Sequence, residues 1–314
     1  MKIEFDLDIL RRKKVRKIGI QLPNGLKAKS SEIAEQIENK GFEVIISGKG
    51  TFGSCDIDFD LLKEVDVLLH FAHTPIFEIK NVFYIPYKID FDLKIVKKVK
   101  IKENKLALIS TAQYVWKLEE VRKELENQGY EVEIKKGSNR VKYPGQVLGC
   151  NYTALKNTKA EAILFVGDGL FHPLGASIYT KKKVYRLDPL EEKFEEVKNG
   201  DFFKKRFTQI ALSMEKKKGA ILVCSKLGQK RMQLALKLKR MAKSKGKRMD
   251  LIYIDEIFPS KLMNFMYEYY VNTACPRISY DDSKYYHVPI LSPQEFEILI
   301  GERRWENYEI DEIL

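Results

Sequence analysis

The chain has 314 residues, of which 44% are hydrophobic and 32% are charged, and its formal net charge is +12. This composition excludes an intrinsically disordered protein, and the length allows two or three domains. No apolar run approaches the ~20 residues that span a bilayer, and the first residues lack the apolar core of a signal peptide. We therefore expect a cytoplasmic protein without membrane contact. Lysine and glutamate alternate along the chain, which favours a solvated surface over a DNA-binding one.

The first part of the chain alternates between strand and helix patterns. The helix has one apolar face that carries Leu26, Ile33 and Ile37. Strands are predicted at residues 17–22, 42–46, 65–70 and 82–85. The loop after the second strand, residues 48–58, reads GKGTFGSCDID and contains Cys55.

The same order then begins twice more. KGFEV at residues 40–44 is echoed by QGYEV at residues 128–132. In the second unit, strands are predicted at residues 106–110, 130–134, 162–166 and 184–187. After a charged, helix-like segment at residues 191–218, the third unit has strands at residues 220–225 and 251–254, followed by another helix-like stretch. We expect three similar Rossmann-like α/β domains with parallel sheets, at residues 1–100, 101–215 and 216–314.

Three of the four cysteines lie in loops marked by glycine or proline. Cys55, Cys150 and Cys275 would sit at a comparable point of each unit, where ligand groups cluster outside the carboxyl ends of parallel strands. Cys224 lies inside an apolar strand, and we predict that it is a core residue. The spacing of the cysteines matches no zinc-finger or ferredoxin pattern. Three thiolates nevertheless suit a 4Fe–4S cluster with one open iron, and zinc on three cysteines is the main alternative.

Other polar residues follow predicted strands. His70 and His73 end one strand, and Gly167 and Asp168 follow another. We predict that His73, Gly167 and Asp168 contact a bound cofactor, although a structural role for the histidines is equally compatible with the sequence. The GxGxxG pattern at residues 48–53 follows the second strand of its unit, so it does not favour a nucleotide-binding loop.

Several motifs together resemble the diphthamide-synthesis family, in particular its archaeal members. The resemblance runs from about residue 21 to residue 293. Its most specific parts are GQVLGC and TACPR, and Ala72 departs from the glycine common at that position. The motifs are GSCDID at 53–58, HFAH at 70–73, GQVLGC at 145–150, GDGLFHP at 167–173, SKLGQ at 225–229 and TACPRI at 273–278.

The resemblance implies an enzyme and its reaction. By position, Cys55, Cys150 and Cys275 would bind one 4Fe–4S cluster in each subunit of a homodimer. The reduced cluster would cleave S-adenosylmethionine at the aminocarboxypropyl carbon, not at the adenosyl carbon. The resulting radical would add to C2 of a histidine of translation elongation factor 2, in the first step of diphthamide synthesis. A separate electron donor would be needed.

Two other functions stay open from the sequence. One is a three-cysteine cluster enzyme of the quinolinate synthase type, which condenses small molecules. The other is a basic accessory protein that binds zinc or RNA and catalyses no reaction. Cleavage of S-adenosylmethionine would separate the first from the expected enzyme, and metal analysis would identify the second.

Overall fold

A computed structural model describes residues 5–314 and contains three β-sheets, each formed by one continuous part of the chain. The strands are β1 (Lys17–Gln21), β2 (Glu43–Ile46), β3 (Val67–Phe71), β4 (Val82–Ile85), β5 (Lys105–Ser110), β6 (Glu131–Glu133), β7 (Ala162–Val166), β8 (Lys183–Asp188), β9 (Lys193–Glu196), β10 (Gly219–Cys224), β11 (Met249–Ile254), β12 (Tyr269–Asn272) and β13 (Ile290–Leu291).

Helices connect most of these strands. They are α1 (Asp8–Arg12), α2 (Ser30–Glu38), α3 (Phe59–Glu64), α4 (Leu118–Asn127), α5 (Phe171–Thr180), α6 (Gly200–Met214), α7 (Met232–Ser244), α8 (Pro259–Leu262), α9 (Pro276–Tyr280) and α10 (Pro293–Leu299). Across the described residues, no helix is long and apolar enough to cross a membrane.

The three sheets share one topology. Their strand orders are β2-β1-β3-β4, β6-β5-β7-β8-β9 and β11-β10-β12-β13. The pairings are parallel except for that of β8 with β9. In each sheet the second strand lies on one side of the first strand, and the third strand lies on its other side. Such a reversal opens a crevice outside the carboxyl ends of the first and third strands, where ligands bind in open α/β sheets.

The strand and helix patterns of the sequence explain most of this architecture. β3, β7 and β10 are buried along their whole length, as expected for parallel strands covered on both faces. In α4, Leu118, Val121 and Leu125 form the buried face that their spacing predicts. The predicted α/β class with three parallel sheets is therefore confirmed. The sheets lie within residues 17–85, 105–196 and 219–291, while the exact domain boundaries stay predictions.

Three sequence predictions about local structure are wrong. The segment at residues 191–218 is not uniformly helical, because β9 precedes α6 and pairs with β8. The stretch before Cys275 ends in a strand, β12, instead of continuing as a helix. The leucine pattern at residues 227–241 predicts Leu227 on the apolar face of the third unit's first helix, but Leu227 lies in a 3-10 turn and is exposed.

A buried ion pair joins α6 to α10. Arg206 and Glu295 are 1% and 0% exposed, and Arg206 Nε and Nη2 donate to the two carboxylate oxygens of Glu295 at 2.7 and 2.6 Å. The other donors of Arg206 reach the carbonyls of Ser279 and Ile290. Tyr308 Oη also donates to Glu295, at 2.8 Å. Every charge in this pair is thus matched by an opposite charge and hydrogen bonds, as burial requires.

The C-terminal segment, residues 308–313, leaves the third unit and packs on the second. Tyr308 and Ile310 join the core of the second sheet. Asp311 accepts from Arg231 Nη1 at 2.8 Å, which ties the segment to the third unit as well. It therefore bridges the two units that supply Cys150 and Cys275.

Candidate metal centre

Cys55 lies in a turn that a buried glutamine holds in place. Gln21, at the end of β1, donates to the carbonyl of Asp56 at 2.7 Å and to Thr51 Oγ1 at 3.2 Å. Its own side-chain oxygen accepts from the backbone N–H of Asp58 at 3.2 Å. Asp58 in turn caps α3, because its carboxylate accepts from Leu61 N at 3.1 Å. The GSCDID loop is therefore anchored on both sides of the thiol.

Cys150 lies in a loop that contacts both neighbouring units. Gln146 is fully buried and donates to Thr74 Oγ1 of the first unit at 2.6 Å. The carbonyl of Cys150 accepts from Ile313 N of the C-terminal segment at 2.8 Å. Gly149 lies so close to Phe171 that a Cβ atom there would come within 2.3 Å of the ring. The glycine of GQVLGC is thus needed for this close approach.

Cys275 directly precedes α9 and follows β12. Asn272 Nδ2 donates to its carbonyl at 2.9 Å, while Arg231 donates to the carbonyls of Thr273 and Ala274. The expectation that all three cysteines occupy a comparable point is wrong here. Cys55 and Cys150 follow the second strand of their sheets, whereas Cys275 follows the third.

The three thiols nevertheless converge. Cys275 interacts electrostatically with both Cys150 and Cys55, so one half-buried group of sulfurs draws on all three units. Burial raises the pKa of each thiol, to about 11 for Cys150, and the neighbouring thiols raise the pKa of Cys275 further. Thiolate formation here needs a compensating positive charge, which a metal group supplies.

The described residues form no site for a single metal ion. Among residues 5–314, no three His, Cys, Asp or Glu side chains are grouped so that they could hold one metal ion. Ligands of one ion share a single coordination shell, whereas each thiolate of a 4Fe–4S cluster binds a different iron. Three neighbouring thiols from three separate units match the donor set of a 4Fe–4S cluster with one open iron.

His73 belongs to a buried hydrogen-bonded chain. Gln21 Oε1 lies 3.1 Å from His70 Nδ1, and His70 Nε2 lies 2.8 Å from His73 Nδ1. Because the glutamine oxygen can only accept, His70 donates from Nδ1 and His73 from Nδ1, which leaves Nε2 of His73 as an acceptor. Burial lowers the pKa of His70 to about 3 and that of His73 to about 4, and for His70 the neighbouring His73 adds to the effect. Both rings are therefore neutral at pH 7.

Gly167 and Asp168 follow β7, at the crevice of the second sheet. Gly167 has a φ of +146°, a conformation that side chains rarely adopt, and Asp168 is exposed. Burial and, after it, the charge of Asp168 raise the pKa of Tyr114, whose hydroxyl has no hydrogen-bond partner among residues 5–314. These residues and His73 lie at the ends of corresponding strands of two sheets, but no contact between them and the three thiols is observed in the described chain.

The sequence did not identify a cavity of about 330 Å³ beside Cys275. Charged side chains of both signs and aromatic rings line it, including Lys226, Glu256, Arg277, Phe258 and Tyr285. Lys226 reaches across to the first unit, where its Nζ lies 2.8 Å from Asp56 Oδ1. These residues are contributed by SKLGQ, by TACPRI, by the loop after β11 and by the turn after α9, so only part of the lining belongs to a motif.

Cys224 behaves as predicted. It is 2% exposed, packs in an apolar cluster of the third unit, and its thiol donates to the carbonyl of Asp255 at 3.3 Å. It also lines the cavity beside Cys275, but its position within β10 fixes it in the sheet.

Comparison with known proteins identifies the family of this chain. Residues 22–310 match the family described as "Putative diphthamide synthesis protein". The chain belongs to the diphthamide-synthesis family. Among curated relatives of this family, 2-(3-amino-3-carboxypropyl)histidine synthase of Pyrococcus horikoshii is 37% identical, over 97% of this chain and 91% of the relative. The protein of the same name from Methanocaldococcus jannaschii is 28% identical, over 95% of this chain and 87% of that protein.

Solved structures of the diphthamide-synthesis family match the fold. The crystal structure of Dph2 from Pyrococcus horikoshii with a 4Fe-4S cluster superposes with a TM-score of 0.91 at 35% identity, covering 100% of this chain and 94% of that chain. A second crystal structure of the same protein gives a TM-score of 0.90. The family predicted from the motifs is thus confirmed.

Proposed function

We propose that this chain binds a 4Fe–4S cluster through Cys55, Cys150 and Cys275 and transfers a 3-amino-3-carboxypropyl group to a histidine of translation elongation factor 2. The transfer would be the first step of diphthamide synthesis. The observation that supports this most strongly is the convergence of three loop thiols from three separate units. The similar Dph2 structure with a 4Fe-4S cluster supports the same cofactor.

Three cysteine ligands leave one iron of a 4Fe–4S cluster for a substrate. When bound and reduced, the cluster supplies the electron that cleaves S-adenosylmethionine at its aminocarboxypropyl carbon. The cavity beside Cys275 suits the methionine part of this molecule, which carries a carboxylate and an ammonium group. Arg277 and Lys226 would pair with the carboxylate, and Glu256 with the ammonium. Phe258 and Tyr285 offer rings for the nucleoside.

We also propose cofactor contacts, partners and a cellular location for this protein. His73, Gly167 and Asp168 remain predicted contacts of the cofactor. Two copies would form a homodimer in the cytoplasm, and a separate protein or small molecule would donate the electron. The net charge of +12 would help such a basic protein meet an acidic face of a large substrate.

Cysteine variants test the cluster assignment. We expect Cys55→Ala, Cys150→Ala and Cys275→Ala each to lose cluster absorbance and bound iron after anaerobic reconstitution. Cys224→Ala is the matched control, because it removes a buried thiol that the proposal does not use. It should keep the cluster at a packing cost of about 1 kcal/mol. Zinc without iron or sulfide in the purified protein, or cluster loss in Cys224→Ala alone, would refute the assignment.

The products test the reaction. With S-adenosylmethionine and a reductant under anaerobic conditions, we expect methylthioadenosine as the nucleoside product, measured by chromatography. Mass spectrometry of elongation factor 2 should show a 3-amino-3-carboxypropyl group on one histidine. If the main product is 5′-deoxyadenosine and the histidine gains no mass, the proposed reaction is wrong even if the cluster is present.

A further inference from the structure

Arg140 is a buried arginine beside the predicted cluster ligands. It is 8% exposed and precedes Cys150 in the second unit. Its guanidinium lies close to the thiols of Cys150 and Cys55. Nη2 donates to the carbonyl of Gly228 at 3.0 Å, and Nε has no hydrogen-bond partner among residues 5–314. The positive charge of Arg140 therefore lies near two sulfurs, and its Nε–H group has no acceptor among the described residues.

Gln229 supplies a second donor to the same group of sulfurs. Its Nε2 lies 3.2 Å from Cys55 Sγ, and the side chain is 7% exposed. The preceding Gly228 packs so tightly on the cysteine that a Cβ atom there would lie 2.5 Å from Cys55 Cβ. Because Gly228 also accepts from Arg140, one short loop after β10 positions both donors. The two donors thus approach Cys55 and Cys150 from the second and third units.

Hydrogen bonds and positive charge near the ligand sulfurs affect a cluster's two redox states unequally. Reduction adds a negative charge, and a nearby donor or cation stabilises the more negative state. The effect is larger in a buried site, where the effective dielectric constant is low. An iron–sulfur cluster that must pass an electron to a sulfonium needs its potential set by such groups.

We propose that Arg140 and Gln229 are positioning residues that raise the reduction potential of the cluster. Arg140 does so by its positive charge beside the sulfurs of Cys150 and Cys55, and Gln229 by its hydrogen bond to Cys55 Sγ. This inference rests on the proposed function, because it requires the cluster to bind. Residues other than the three cysteines would then determine how easily the cluster accepts its electron.

The test is a redox titration of the anaerobically reconstituted protein, followed by the EPR signal of the reduced cluster. Arg140→Gln should lower the midpoint potential by about 59 mV. For one electron, this corresponds to about a tenfold change in the ratio of reduced to oxidised cluster. Gln229→Leu should shift it in the same direction by less, because a neutral donor is weaker. Arg140→Lys, which keeps the charge, should recover most of the wild-type midpoint.

The exposed Arg240 provides the control. Arg240→Gln removes the same formal charge and should leave the midpoint unchanged. Unchanged midpoints in Arg140→Gln and Gln229→Leu would overturn the proposal. So would loss of cluster uptake in Arg140→Gln, Arg140→Lys and Gln229→Leu together, since these residues would then serve assembly. A wild-type protein that binds the cluster but transfers no group would refute the proposed reaction and leave this measurement intact.

Discussion

Two buried arginines of this protein differ in the groups that surround their positive charge. Arg206 meets both oxygens of Glu295 and two backbone carbonyls in the core of the third unit. Arg140 is nearly as buried, but it donates to one carbonyl, lies over the ring of Phe77 and has two thiols nearby. Its Nε has no partner in the chain that the structure describes.

The two arginines differ in whether the protein itself supplies an opposite charge. A buried cation is costly unless an anion and hydrogen bonds compensate it. Arg206 has its compensation within the protein. Arg140 would gain it when the thiols become thiolates on a metal group, so the two regions should respond differently to mutation, to pH and to loading.

The largest expected effect is on the compensated pair. Glu295→Gln should reduce the free energy of unfolding by about 3–5 kcal/mol, because it leaves the guanidinium of Arg206 buried without a counterion. Urea denaturation followed by circular dichroism measures the loss. Lys94→Gln is the control, since its partner Asp92 is a surface residue and such pairs contribute little. A loss below about 1 kcal/mol for Glu295→Gln would contradict the prediction.

An intermediate effect is expected from His70, which is also buried without a carboxylate. Its folded pKa of about 3 lies below the usual 6.5, so the unfolded chain takes up a proton first as the pH falls. Its contribution to stability is therefore full above pH 6.5 and decreases below it. Between pH 6.5 and pH 5 the loss should be about 2 kcal/mol.

Chemical denaturation at several pH values measures this loss, and His70→Gln should reduce the dependence to the part that His73 contributes. His287→Gln, at an exposed histidine, should not. If the stability of the wild type is the same at pH 6.5 and at pH 5, the histidine pair is not held neutral as the structure indicates.

The smallest expected effect is on Arg140 in the cluster-free protein. Arg140→Met should change the free energy of unfolding by no more than about 1 kcal/mol, because it removes a charge whose desolvation is not offset by a carboxylate. The same denaturation assay measures it beside Arg206→Met. Equal large losses in the two variants would show that both arginines serve stability alone.

The sequence predicts strands whose apolar residues run without interruption. β4 and β7 begin and end where their patterns indicate, because a continuous apolar run between polar residues has few alternatives. β12 is not predicted, because YYVN follows a stretch rich in methionine and tyrosine that also suits a helix. β9 is short and half-buried, and its charged residues hide its pairing with β8.

The site is predictable where it depends on local sequence and less so where it depends on packing. Cys55, Cys150 and Cys275 are marked by their glycine and proline loops, but their use as cluster ligands remains a prediction. Arg140 carries no local signal, since only its burial and its contacts across two units distinguish it from the many surface arginines. Cys275 follows a different strand from its counterparts, so no repeat alignment could have placed it.

The C-terminal segment has a consequence for the order of events during synthesis. Ile313 N holds the carbonyl of Cys150, and Asn151 Nδ2 donates to the carbonyl of Ile313 at 3.2 Å. Translation delivers this segment after all the cysteines, so the loop of Cys150 cannot reach its final shape while the third unit is still being made. If the proposed cluster binds, its insertion before residues 308–313 are made would meet an incomplete pocket.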